Sequence, residues 1–298
     1  MPVAGRMHWQ HSTAMLNTDK AWRKWGKWDP YFGVLADDRF SVANIEENRE
    51  AFFVTGQHFI SHILSCFERQ FGHLNRSRTL DHGCGVGRLT LPLADQFRDV
   101  LALDVSPEML TEATANAERS AVSNITFAGA DDELSNAVGT FDFVMSHMVL
   151  QHVPVRRGMP LLALLVSKVA PGGGFHISLS MREEPLRWQI LYWASANIPG
   201  VKIVQNVMAG RRWNAPAMQM NNYPLNRILA LLADLSIKEL VLRTENYGRF
   251  ITYSLIGRRP TISGDSSHLC ERVTARKFLG ANGPLRPSKL KVRQRSAR

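Results

Sequence analysis

Cysteine is scarce in this chain: three in 298 residues, at Cys66, Cys84 and Cys270. Such wide spacing excludes the close pairs of a zinc site and a disulfide framework, so no metal is expected and a reducing, cytoplasmic location is. Long apolar runs are also missing. No stretch approaches the ~20 residues of a membrane helix, so no membrane span is expected. The opening "MPVAGRMHWQHS" has no apolar h-region, and no secretory signal is expected from it. Acidic residues run short in one place only. From Arg258 to Arg298 there are 11 Lys and Arg against 2 Asp and Glu, leaving 25 against 24 elsewhere. The net charge of +10 therefore belongs to the tail, and a nucleic-acid-binding body is disfavoured. Residues 261–298 are Pro-, Gly- and Ser-rich without apolar periodicity, which predicts a disordered, solubilising end or an arm for RNA or a membrane surface.

A chain that is 45% hydrophobic can build one sizeable core with appendages. No internal repeat is visible. Residues 1–75 form an aromatic and basic extension, with Trp22, Trp25 and Trp28 ahead of an Asp29-Pro30 turn. "NIEENREAFFVTGQHFISHILSCFERQFG" then places Phe52, Phe59, Ile60, Ile63, Leu64 and Phe67 at helical spacing. Over residues 76–260 short strands alternate with helices. "TLDHG", "VLALDVS", "NITFAGA", "FDFVMSH" and "FHISLSM" read as strands one to five. The intervening helices are "GRLTLPLADQF", "PEMLTEATANAERSA" with Ser106 as N-cap and Pro107 first in the helix, and "MPLLALLVSKVA", ended by "PGGG". The rhythm breaks at residues 182–223, a tryptophan-rich insert, then resumes with the helix "PLNRILALLADL" and the strands "IKELVLR" and "FITYSLIGR". The predicted fold class is α/β, a Rossmann-like sheet of seven strands, mostly parallel with an antiparallel final strand. Helices cover both faces, with an N-terminal helical extension and a cap insert added.

"LDHGCGVGRLT" sets Gly83, Gly85 and Gly87 after Asp81 at the end of strand one. In an open parallel sheet the ligand lies beyond the carboxyl ends of the strands, and glycines there let the backbone come close to it. The G-x-G-x-x-G spacing of dinucleotide enzymes would need a third glycine where Arg88 stands. Asp104 ends strand two about twenty residues on, where a carboxylate can accept hydrogen bonds from both hydroxyls of a ribose.

The ordered set "LDHGCGVGRLTLPLA", "LALDVSPEMLTEA", "ITFAGAD", "FDFVMSHMVLQHVP" and "APGGGFHISL" resembles a class I S-adenosylmethionine-dependent methyltransferase over roughly residues 79–257. "WGKWDPYFGVL" is similar to the extension of some bacterial small-molecule members. The resemblance implies S-adenosylmethionine as cofactor. It places Gly83, Cys84, Gly85 and Gly87 along its methionyl and ribose parts, Asp81 near its amino-acid end, and Asp104 on the ribose. Ser106 and Met109 would lie near the ribose or adenine, and Asp131 or Asp132 would reach the adenine amino group, with the spacing from Phe127 favouring Asp131. Ser146 and His147 would stand where the methyl group is delivered. His147 and His152 are candidates for a general base, should the acceptor have to lose a proton.

The predicted function is methyl transfer to a small-molecule acceptor by in-line displacement. The Asn/Asp-Pro-Pro-aromatic run of amino-group methyltransferases is absent, "SHMVLQ" standing in its place. An RNA methyltransferase using the basic tail and a catalytically idle cofactor-binding protein are the alternatives. Specificity should come from the two segments available to cover the strand ends, with Trp28, Tyr31, Trp193, Trp213 and Tyr223 as wall residues. Oligomeric state cannot be read from the sequence.

Overall fold

The computed structural model describes residues 18–181, 194, 198, 200–208, 215, 218–247 and 250–261. The extension folds as α1 (Thr18–Trp28), α2 (Pro30–Val34) and the long α3 (Ile45–Phe71), with the predicted turn at Asp29-Pro30 between the first two. The strands follow as β1 (Arg78–His82), β2 (Asp99–Asp104), β3 (Ile125–Gly129), β4 (Phe141–Ser146) and β5 (Val169–Met181). Between them run α4 (Thr90–Ala94), α5 (Pro107–Arg119) and α6 (Val155–Ser167). After the insert come α7 (Val201–Met208), α8 (Leu225–Asp234), β6 (Leu240–Tyr247) and β7 (Phe250–Arg258).

These strands make one seven-stranded sheet in the order β3-β2-β1-β4-β5-β7-β6. β3 through β5 pair in parallel, while β7 lies antiparallel between β5 and β6. The chain reverses direction of travel across the sheet between β1 and β4, which puts the switch point at the end of β1. One face packs Leu80, Leu103, Val144, Phe175, Ile177 and Leu179 against α6 and α8; the other packs Phe143 and Met145 under Ile60, Ile63 and Phe67 of α3.

Two local predictions are corrected. The helix after β1 is confined to α4, five residues, because the glycine loop occupies the first three residues of "GRLTLPLADQF". "PGGG" does not end an element but lies inside β5, where the pairing with β4 shifts register between Phe141 and Phe143. Gly174 is there for room: a Cβ would strike the ring of Phe67. Gly257, directly opposite Phe175, lies under that ring in the same way.

β5 and β7 show an unusual division. Phe175, Ile177, Leu179, Tyr253 and Leu255 supply the core on one face, while His176, Ser178, Ser180, Thr252 and Ser254 are equally buried on the other, at 1% exposed or less. Alternation of period two, which usually separates core from solvent, here separates an apolar core from a buried polar strip.

Candidate active site

β1 delivers Asp81 and His82 to the switch point, and the chain turns through Gly83, Gly85 and Gly87 at φ of 76°, 55° and 88°. These are left-handed values that other L-residues rarely adopt. Close approach adds to the demand: a Cβ on Gly83 would collide with Val149, and one on Gly85 would stand 2.7 Å from Cγ2 of Val34 in α2. The loop is tied to β2 by amide hydrogen bonds from Gly83 and Cys84 to the Leu103 carbonyl, at 2.7 and 3.0 Å. Asp104, 8% exposed, accepts from Gly85 N through Oδ2 and from Ser106 N through Oδ1, both at 2.9 Å. Burial raises its carboxyl pKa while those amides oppose the rise. Asp81 is held by Thr90 Oγ1 at 2.6 Å, and burial pushes it up to about 6.

Together these residues floor a cavity of about 1090 Å³. Asp81, Gly83, Cys84, Gly85, Asp104, Met109, Asp131, Asp132, His147 and His152 all line it. Gly87 does not, packing on Ala113 instead; Ser106 caps α5 through Met109 N beneath Gly26 of α1; and Ser146 lies behind the wall, 3.1 Å from His82 Nδ1. Burial pushes the Cys84 thiol well up, which keeps it protonated. The paired acids are divided by their partners. Asp131 accepts from Ser135 N at 2.9 Å, whereas Asp132 receives two hydrogen bonds from Arg157 at 2.8 Å, and Arg157 also reaches Asp19 in α1 at 3.3 Å.

The two histidines have different surroundings. His152 Nδ1 stands 2.7 Å from the Gln219 carbonyl, which only accepts, so the proton must be on Nδ1. Nε2 is then left to accept from the Gln151 amide at 3.3 Å, and burial pushes the ring down to about 4. His147 Nδ1 pairs with Ser178 Oγ at 3.0 Å, and burial holds its pKa well below the usual range. Behind it lies His176, ring centroids 5.5 Å apart, with both nitrogens buried and without a partner among the described residues. Both cavity histidines are therefore neutral, and His152 is oriented rather than free.

The predicted acceptor wall is rearranged. Trp28 carries Lys24 over its ring at 4.1 Å and does not line the cavity. Tyr31 is buried as an anchor, its hydroxyl 2.6 Å from Glu112 and 2.8 Å from Asn116 of α5, with Arg49 against it. Tyr223 is buried too, donating to the Val153 carbonyl at 2.8 Å. Trp193 and Trp213 lie outside the described residues. The roof instead comes from Trp22, edge-on to His152 at 4.8 Å, with Val34, Met218 and Met220, and Phe59, Thr55 and Arg88 close one side. Sequence reasoning missed these. Trp22, Trp25 and Trp28 recur every three residues, and only the docking of α1 decides which of them meets the cavity.

The end of β1 thus joins a Rossmann-like sheet, a glycine turn and the buried acid Asp104 at the switch point. Residues 79–173 match a family described as a methyltransferase domain. An RNA methyltransferase of Nostoc named as uncharacterized is 29% identical over 135 residues, 44% of this chain and 28% of that one. A ubiquinone biosynthesis O-methyltransferase of Azorhizobium caulinodans is 36% identical over 92 residues, 28% of this chain and 36% of the other. The chain thus spans about a third of the length of these relatives. The magnesium protoporphyrin IX methyltransferase of Synechocystis, solved with bound S-adenosylhomocysteine, superposes with a TM-score of 0.57 at 19% identity, covering 82% of this chain and all of that one. No described helix is long and apolar enough to cross a membrane, and the described residues hold no cluster that could bind a metal.

Proposed function

We propose that this protein transfers a methyl group from S-adenosylmethionine to a small-molecule acceptor held in the roofed cavity. The observation that carries this reading is the cavity itself. At about 1090 Å³ it exceeds the roughly 300–1,000 Å³ of ordinary small-molecule sites, leaving room for a cofactor and an acceptor together. The carboxylates suit the cofactor as hydrogen-bond acceptors: Asp104 for the ribose diol, Asp81 for the ammonium of the methionyl end, and Asp131 for the adenine amine. Gly83, Cys84, Gly85 and Met109 would lie along its length. When bound, the sulfonium supplies an electrophilic methyl group.

The chain's own contribution is alignment, since in-line displacement depends on holding acceptor and methyl group in register. Trp22 and the Met218–Met220 segment exclude water from above. His152, fixed by Gln219 and Gln151, orients what it touches, and His147 offers a neutral imidazole at the end of β4. Neither acts as a base unless the acceptor's proton must leave.

An RNA acceptor is the second reading, favoured by the tail's 11 basic against 2 acidic residues and by the relative named as an RNA methyltransferase. Incubation with methyl-labelled cofactor and fractionated cell extract tests both. Label in the small-molecule fraction supports the first. Label in RNA, with binding that falls steeply as salt rises, replaces it with the second.

A further inference from the structure

Large apolar side chains are exposed mainly in one place. Of the seven such residues among those described, Val42 and Val138 are isolated, while Ile198, Ile203, Val204, Val207 and Met208 fall together. Within α7 the usual arrangement is inverted. Ile203, Val204, Val207 and Met208 share one face by spacing, and that face meets solvent, Met208 being 83% exposed. The residue turned inward is polar: Asn206, 8% exposed, donates to the Ala215 carbonyl at 3.1 Å. Ala215 in turn packs with Trp25, Tyr31, Phe52 and Met109 in the core of the cap. The helix is therefore tied to the core of the cap with its apolar side outward.

Charge in this part of the chain is of one sign. No Asp or Glu occurs between Glu184 and Asp234, while Arg187, Lys202, Arg211, Arg212 and Arg227 do. An exposed apolar patch in a stretch whose charged residues are all basic complements an anionic, apolar surface. We propose that α7 docks the protein on an anionic lipid bilayer. Its apolar face enters the headgroup boundary, and the absence of acidic residues from this stretch of sequence suits an anionic surface. If the methyl-transfer reading holds, a bilayer-dissolved acceptor would reach the cavity by way of the roof.

Flotation of the full chain tests this, with vesicles of phosphatidylcholine alone and of phosphatidylcholine mixed with phosphatidylglycerol. A triple variant, Val204→Ser, Val207→Ser and Met208→Ser, changes only exposed positions. Its melting temperature and S-adenosylhomocysteine affinity are measured beside the wild type, so loss of cofactor binding is seen separately from loss of docking. Wild-type protein should float with the mixed vesicles, and the triple variant should bind them about tenfold more weakly. Three results overturn the proposal: wild-type protein that stays down with mixed vesicles, a triple variant that floats equally well, or light scattering that shows a wild-type dimer which the variant dissolves. The second would assign binding to the basic tail, and the third would assign the face to another copy.

Discussion

Below the cavity the chain holds itself, while above it the parts must find one another. From Asp81 to Asp104 the hydrogen bonds that shape the floor stay within one stretch of chain: Gly83 and Cys84 to Leu103, Asp104 to Gly85 and Ser106, and Thr90 to Asp81. Over the top, α1 and α2 hang on distant side chains. Thr18 Oγ1 lies 2.8 Å from the His152 carbonyl, 134 residues away, and 3.0 Å from Gln219, 201 residues away. Tyr31 reaches α5, and Arg23 reaches the Val105 carbonyl at 3.3 Å. A floor built on strand ends is rigid by construction. The roof rests on a small apolar core around Trp25, Tyr31, Phe52 and Met109, and on these separate hydrogen bonds, each worth about 1 kcal/mol.

The comparison can be broken most severely at the floor. Gly85→Val forces a branched residue into φ of 55° and against Val34, and should abolish measurable S-adenosylhomocysteine binding in calorimetry. Retained affinity would show that the loop is not the cradle. Asp104→Ala comes next. Loss of charged hydrogen bonds worth roughly 1.5–3 kcal/mol should weaken binding about ten- to a hundred-fold, and an unchanged dissociation constant would remove Asp104 from the ribose.

Acid should act on the floor as well. Burial has raised Asp81 to about 6, so the free site loses that carboxylate as pH falls below 6. If the carboxylate faces an ammonium, affinity should drop about tenfold from pH 7 to pH 5 and stay high above 7. Asp81→Asn should bind weakly at neutral pH with that slope gone. A wild-type affinity flat across this range would place the ammonium elsewhere.

The roof should answer differently. Trp22→Ala is expected to lower acceptor turnover several-fold while cofactor affinity changes little, because Trp22 stands edge-on to His152 in the roof. A fall in cofactor affinity alone would erase the distinction between roof and floor. Smallest of all, Tyr31→Phe removes one hydroxyl from the contact with Glu112 and Asn116. It should cost about 1 kcal/mol, seen as a drop of a few degrees in melting temperature with cofactor binding intact.

The same contrast explains what the sequence disclosed. The floor was legible because its residues are local: a glycine turn, an acid at each of two strand ends, and a helix start at Ser106-Pro107 are read within one stretch of about thirty residues. The mostly parallel seven-stranded sheet and its antiparallel final strand followed from alternation and turn signals, while the order of the strands did not. The roof was not legible, since nothing in the spacing of Trp22, Trp25 and Trp28 says which faces inward. Tyr31 and Tyr223 were expected on the cavity wall from their residue type, yet burial turned both into anchors with satisfied hydroxyls. His176 drew no notice at all: one imidazole inside "FHISLSM" looks like any alternating polar position until its neighbours in β7 show that the polar side is also buried.

Gly174 under Phe67 and Gly257 under Phe175 carry a consequence for how such a chain can change over time. Neither glycine has a left-handed backbone, so what bars a side chain there is the volume already taken by a ring. Replacing either glycine alone overfills the interior, and shrinking either ring alone hollows it, each step costing of the order of 1–5 kcal/mol. Made together, the two changes compensate. In diverged relatives these positions should therefore exchange as couples, a larger residue at 174 or 257 travelling with a smaller one at 67 or 175. An alignment would register that pairing as covariation between α3 and β5 and across β5 and β7, inherited independently of anything the cavity binds.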